Sequence, residues 1–261
     1  MTKVIIFDLD DTLIEDDDAT QRALAVVGEY ARERFGVEAG RLAEDAYRRA
    51  CELWHAGPVF PYCDFMGISA SEGLWGRFVD PTGRDSQLQA LQRWVPAYRL
   101  EAWSRALADQ GVHDKEPGQK LVELFIEARH SYSVFEEVEP VLEDLGKDYR
   151  LAMLTNGASD LQREKVEQTG LGRYFELIVV SGEFGAGKPD KEVFAHVLER
   201  LEVGPEESVM VGDSLPRDIV GAQRSGMRGI WINRQRRACS EQYAPLVHAH
   251  ITDLRELRSV L

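Results

Sequence analysis

The sequence is short of cysteine, asparagine and positive charge, and each shortage narrows what the chain can be. Its three cysteines, Cys51, Cys63 and Cys239, are an odd number with no Cys-x-x-Cys spacing. That argues against a disulfide framework or a structural zinc and points to a reducing compartment. The two asparagines, Asn156 and Asn233, fall in no glycosylation sequon. No apolar run nears the ~18–20 residues that cross a bilayer. The N-terminal stretch has an apolar run of only four residues before its first aspartate, so no signal peptide is expected. The expected location is cytoplasmic. Lys and Arg number 31 against 45 Asp and Glu, a net charge of −14. Nucleic acid needs basic patches on its phosphates and is not an expected partner, and an anionic membrane surface would repel the chain. The sequence leaves the oligomeric state open.

What is present reads as a globular chain. Its 261 residues, 44% hydrophobic and 29% charged, suit one or two domains with a sizeable core. Short apolar runs, each ending in polar or glycine-rich residues, mark buried parallel strands. Residues 4–7 run into Asp8, 151–154 into Thr155-Asn156-Gly157, 177–180 into Ser181-Gly182, 209–211 into Gly212-Asp213-Ser214, and 229–232 into Asn233. Helical patterns at 158–169, 191–201 and 216–225 alternate with them, bounded by Gly170, Asp190, Pro216 and Gly226 as stop and start signals. The expected fold class is α/β, a three-layer Rossmann-like parallel sheet, with ligands at the carboxyl ends of the strands. One interval is too long for a crossover: 147 positions separate Asp8 from Thr155. Residues 17–133 are therefore expected to be an inserted, largely helical domain, with residues 1–16 and 134–261 forming the α/β core. Helices are expected at 18–35, 39–55, 88–110 and 117–131. Residues 57–87, with Pro58, Pro61, Pro81 and five glycines, are expected to be irregular apart from a short helix at 70–78.

Four strand ends carry chemistry-bearing side chains. Asp8-x-Asp10-x-Thr12 opens a stretch with seven carboxylates and no basic residue up to Asp18. Taken singly, this is an acidic loop as readily as a site. Thr155-Asn156-Gly157 before a helix can hold an anion through a hydroxyl and free N–H groups, or can simply cap that helix. Lys188 lies in a glycine loop, and Gly212-Asp213-Ser214 is followed by Asp218. Residues 182–188 mimic the start of a nucleotide-binding P-loop, but Pro189 stands where the Mg²⁺-binding hydroxyl belongs, so a nucleotide cradle is not expected. At four parallel strand ends, these groups can converge on one crevice.

Together, in this order, they resemble the haloacid dehalogenase-like hydrolase superfamily. The resemblance covers residues 1–15 and 134–261, and the insertion falls where that family carries a type-1 helical cap. It implies that Asp8 is a nucleophile and Asp10 a general acid and base. It further implies that Asp8, Asp213 and the Asp10 carbonyl hold Mg²⁺, and that Thr155, Asn156 and Lys188 bind phosphoryl oxygens. Asp218, Ser214 and Thr12 are supporting residues, Asp218 either a water-mediated metal contact or a partner orienting Lys188. Elementary electrostatics agrees. Carboxylates 4 Å apart repel by roughly 4 kcal/mol at an effective dielectric near 20, and a hard cation with oxygen ligands relieves this.

The family's dehalogenases carry a non-acidic residue where Asp10 stands. Its phosphonatases need a cap lysine, and no lysine occurs between Lys3 and Lys115. The expected activity is hydrolysis of a small phosphorylated metabolite. A phosphomutase or phosphotransferase, or a non-catalytic binding protein on the same fold, is the alternative. The bulky side chains of residues 53–78, among them Trp54, Phe65, Trp75 and Phe78, either pack the insertion's own helices or select the substrate. Trp94, Tyr98 and Trp103 are expected in its core. His248 and His250 are expected at the surface, and Arg234, Arg236 and Arg237 in a solvated loop.

Overall fold

The computed structural model describes residues 1–80 and 82–261; Pro81, counted above among the chain-breaking residues, lies outside them. Contacts divide the chain into two compact units. One comprises residues 1–15 and 132–261, the other residues 16–131.

The first unit is built on six parallel strands in the order β3-β2-β1-β4-β5-β6. These are β1 (Val4–Phe7), β2 (Arg150–Thr155), β3 (Leu177–Val180), β4 (Ser208–Gly212), β5 (Arg228–Ile232) and β6 (Ala249–Ile251). Successive side chains of a strand point to opposite faces, and β1 shows the consequence. Ile5 and Phe7 join one core with Val138, Leu142, Val166 and Leu257, while Val4 and Ile6 join another with Val193, Phe194, Val197 and Ala222. Both faces are covered, which is why the strands read as continuous apolar runs. The order of connection reverses at β1, whose neighbours are β2 and β4. A crevice opens outside the carboxyl ends of strands at such a switch point, and Asp8, Thr155 and Asp213 stand there.

The second unit is helical: α1 (Asp16–Phe35), α2 (Ala39–His55), α3 (Phe60–Met66), α4 (Ala70–Trp75), α5 (Ser86–Ala108) and α6 (Lys115–Arg129). Helix α3 corrects the expectation of an irregular segment. Pro61 sits in its first turn, where a missing N–H costs nothing, and Gly67 closes it in the left-handed conformation. Proline and glycine here are boundary signals rather than loop signals. Helix α4 begins with a capping box from Ser69 and Glu72 and stops at Trp75, short of the expected 78.

Trp54, Trp94 and Tyr98 cluster with ring centroids 5.0–5.7 Å apart, and Tyr98 and Trp103 are buried as expected. Trp75 and Phe78 are buried too, whereas Phe65 is half exposed. The wholly buried Arg129 lies over the Trp75 ring, 2.5 Å from the Asp16 carboxylate and within hydrogen-bonding distance of the Thr20 hydroxyl. It ties the last turn of α6 to the first of α1.

The remaining helices belong to the sheet unit: α7 (Val138–Leu145), α8 (Ser159–Thr169), α9 (Ser181–Phe184), α10 (Lys191–Leu201) and α11 (Val220–Arg224). The helix expected at 216–225 begins instead as a wide π-turn over Leu215–Ile219, which runs into α11. Among the described residues, no helix is long and apolar enough to cross a membrane.

Breaking a buried ion pair from one side leaves an uncompensated charge. Arg129→Ala should therefore destabilise the helical unit by about 3–5 kcal/mol, measured by urea denaturation followed by tryptophan fluorescence. A loss below about 1 kcal/mol, the range of exposed pairs, would mean that the pair does not hold α1 to α6.

Candidate active site

Strand β1 delivers Asp8 to the switch point, with its backbone N–H donating to the Val211 carbonyl of β4. The chain then turns on itself. The N–H groups of Thr12, Leu13 and Ile14 converge on the Leu9 carbonyl, and Asp11 takes φ 55°, a left-handed conformation that aspartate tolerates better than most residues. The turn points Asp8 and Asp10 to different partners, a separation that D-x-D spacing in an extended strand would not give. The buried Thr12 hydroxyl donates to Asp8 Oδ2 at 3.3 Å and accepts from the Asp213 N–H at 3.1 Å. It thereby links the ends of β1 and β4.

Lys188 is nearly inaccessible. Its Nζ lies 2.5 Å from Asp8 Oδ1, 2.7 Å from Asp218 Oδ1 and 2.8 Å from the Leu154 carbonyl. Burial alone would lower the lysine's pKa, but Asp218 and Asp8 more than offset that and hold it above its ordinary value. Of the two positions expected for Asp218, the structure places it beside Lys188. Its other oxygen accepts from the Ser214 N–H at 3.0 Å. Gly212 makes room for this: a Cβ there would come within 2.2 Å of the Asp218 carboxylate.

Asn156 braces the lysine's backbone. Its side chain donates to the Lys188 carbonyl at 2.9 Å and accepts from the Lys188 N–H at 2.8 Å. The Thr155 hydroxyl, fully buried, donates to Gln162 Oε1 at 3.1 Å.

Carboxylate oxygens of Asp8, Asp213 and Asp218 lie within 4.8 Å of one another. Burial, only partly offset by Lys188, pushes the Asp8 carboxyl up to about 6. Burial and the neighbouring charges of Asp8, Asp218 and Asp11 raise Asp213 well above the carboxylate range. Crowded oxygen donors of this kind could hold a metal ion, and hard cations prefer such ligands.

The structure brings Asp8, Thr12, Thr155, Asn156, Lys188, Asp213, Ser214 and Asp218 together. It also reveals residues the sequence reading passed over. Lys165, fully buried on α8, lies 2.9 Å from each Asp10 oxygen, and Gln162 Nε2 donates to Asp10 Oδ2 at 3.2 Å. The signal was present, since Leu161, Gln162, Lys165 and Val166 form the buried face of α8, and two polar residues on an apolar face ask for a partner.

Arg234 corrects the expectation of a solvated loop. It donates to the Thr12 carbonyl and to Glu137, each at 2.7 Å, and stacks 3.6 Å over Phe135. Arg236 and Arg237 are exposed, with Arg237 3.7 Å from Asp213 Oδ2. His250 is exposed and stacked on Trp231. The P-loop mimic is not a cradle: Ser181–Phe184 is a helical turn, and Lys188 faces carboxylates.

Strand-end aspartates gathered around a buried lysine on a doubly wound sheet are suited to phosphoryl transfer, and comparison with known proteins agrees. The family model for haloacid dehalogenase-like hydrolases matches residues 2–226, so the chain belongs to that family. It is 37% identical to a phosphoserine phosphatase of Thermus thermophilus over 98% of this chain and 97% of the relative. It is 26% identical to the N-acylneuraminate-9-phosphatase of Mus musculus, covering 99% and 93%. A crystal structure of a 2-haloacid dehalogenase from Pseudomonas syringae superposes with TM-score 0.58 at 30% identity, covering 100% and 98%. Within the family, the protein is a phosphatase.

Two outcomes follow from the crowding. Gly212→Ala should displace Asp218 from Lys188 and cut turnover at least about tenfold, measured on an aryl phosphate; unchanged turnover would mean that Asp218 relocates freely. Asp213→Asn should stabilise the protein in chelator. A carboxyl raised by folding favours the unfolded state once ionised, so its penalty is absent below the unfolded value of ~3.9 and grows as pH rises toward the raised folded value. Calorimetry at pH 7.5 should show a gain of about 2–4 °C that vanishes near pH 4. A lower melting temperature at pH 7.5 would contradict the crowding.

Proposed function

We propose that the protein is a Mg²⁺-dependent phosphomonoesterase acting on a small phosphorylated metabolite through an aspartyl-phosphate on Asp8. The observation that carries this reading is the pairing of one buried carboxylate, Asp8, with a buried ammonium. A second carboxylate, Asp10, pairs with a different ammonium, that of Lys165, and keeps 26% of its side-chain surface open. A nucleophile and an acid–base group need such separate environments.

Asp8, Asp213 and the Asp10 carbonyl would hold the ion, which, when bound, supplies the positive charge that lets a phosphate dianion approach these carboxylates. Lys188, the Asn156 N–H and the Thr155 hydroxyl, whose one proton turns from Gln162 to the substrate, hold the phosphoryl oxygens. An Asp8 oxygen attacks phosphorus as the ester P–O bond breaks, and Asp10 gives its proton to the departing alkoxide. Asp10, now ionised, takes a proton from water, whose oxygen attacks the aspartyl-phosphate. The P–O bond to Asp8 breaks, and free carboxylate and inorganic phosphate result. Delivering the second phosphoryl acceptor as water makes this hydrolysis rather than a mutase reaction.

Phosphoserine, named in the relative at 37% identity, is the first substrate to test, with N-acylneuraminate 9-phosphate, mononucleotides, sugar phosphates and flavin phosphates beside it. Activity should vanish in chelator and return with Mg²⁺. Asp10→Asn given an activated aryl phosphate should gain one phosphoryl group by intact mass and then stall, because that leaving group needs no proton. Asp8→Asn should gain none. Full activity in excess chelator, or an adduct in Asp8→Asn, would overturn the reading.

A further inference from the structure

Asp10 is gripped from the protein side by groups that play no part in the reaction just described. Lys165 Nζ is 2.9 Å from both of its oxygens, and Gln162 Nε2 is 3.2 Å from Oδ2. Gln162 and Lys165 are one helical turn apart on the same face of α8, so both side chains reach one point. The same Gln162 amide accepts the Thr155 hydroxyl at 3.1 Å.

A buried lysine always needs a counter-charge, and a pair serving only that need would best be closed on both sides. This pair is asymmetric: the Lys165 side chain has no exposure, while the Asp10 side chain keeps 26%. The carboxylate is held through both oxygens and still keeps part of its surface exposed, as a group that must meet a changing reactant requires. A misplacement of about 1 Å at a reacting group can cost about 10²-fold in rate, so a grip on both oxygens has a kinetic use beyond stability.

We propose that Lys165, supported by Gln162, is a positioning residue that aims the Asp10 carboxyl, and that Gln162 ties this aim to the phosphoryl-binding Thr155. The inference rests on the acid–base reading of Asp10. The two half-reactions ask different things of Asp10 when the leaving group is an activated phenolate. Phosphorylation of Asp8 then needs no proton, whereas hydrolysis of the aspartyl-phosphate still needs an aimed base.

Rapid-quench kinetics of the Mg²⁺-loaded enzyme with p-nitrophenyl phosphate separate the steps. In Lys165→Met, first-turnover release of nitrophenolate should stay within about threefold of wild type while steady-state turnover falls at least about 30-fold, with phosphoprotein accumulating. Effects of this size match the ~10²–10⁴-fold typical of acid–base catalysis. On an alkyl phosphate the first turnover itself should slow by a comparable factor, and KM should stay within about threefold. A merely structural lysine would depress both steps on the aryl substrate equally, and that result, or no change in either step, overturns the proposal. If circular dichroism shows Lys165→Met unfolded, Lys165→Gln, which keeps a donor but not the charged two-oxygen grip, carries the test, with the same split expected and an equal fall overturning it. First-turnover nitrophenolate release by Asp8→Asn would instead refute the aspartyl-phosphate reading, and the inference with it.

Discussion

The Lys188 ammonium is the charge on which the sheet unit's reactive end depends. It draws together three parts of the chain that are distant in sequence: Asp8 from the end of β1, the Leu154 carbonyl from β2 and Asp218 from the turn after β4. Burying an ammonium among carboxylates is tolerable only when each lone pair and proton finds a partner. The surrounding contacts do that work, with Asn156 bracing the lysine's backbone, the Ser214 N–H holding Asp218, and Thr12 bridging Asp8 to Asp213. The short strands and glycine turns can be understood as the scaffold that makes this convergence possible.

Charge balance gives the site its chemistry. Three carboxylates, Asp8, Asp213 and Asp218, cluster around the buried Lys188 and the exposed Arg237, which leaves negative charge in excess where a phosphate dianion would have to enter. The excess shows in the raised carboxyls of Asp8 and Asp213. A site that stores electrostatic repulsion is a familiar trade of stability for function, and it is a natural place for a divalent cation. Asp10, on the near side of the turn at Asp11, is held instead by Lys165 and Gln162. Two carboxylates two residues apart in sequence therefore pair with different buried lysines.

Much of this was legible in the sequence. Strands buried on both faces announce themselves as short apolar runs, and the reactive residues sit at fixed places just beyond them. Asp8, Thr155 and Asp213 could thus be placed by counting. What escaped was set by tertiary packing. Lys165 and Gln162 lie inside a helix, where a lysine ordinarily reads as solvated, and only the helix's buried face gives them away. Arg234 reads as part of a basic run until Phe135, Glu137 and the Thr12 carbonyl are seen around it. In the helical unit, Pro61 and Gly67 looked like loop residues because composition does not say whether a proline starts a helix or prevents one.

The two lysines also suggest how the chemistry and the choice of substrate are divided. Relatives at 37% and 26% identity are named for chemically different phosphate esters, yet a phosphoryl group presents the same oxygens whatever it is attached to. The groups proposed to hold those oxygens, Lys188, Thr155 and Asn156, are tied to strand ends and, through Gln162, to the buried face of α8, where a displacement of one side chain disturbs several others. Gln162 makes the point: its carbonyl holds Thr155 while its amide nitrogen holds Asp10. Such a network is costly to change piecemeal, since each substitution leaves a buried polar partner unsatisfied. Substrate preference can drift only through side chains outside it. A rigid phosphoryl-handling centre is therefore what allows one family to serve many metabolites.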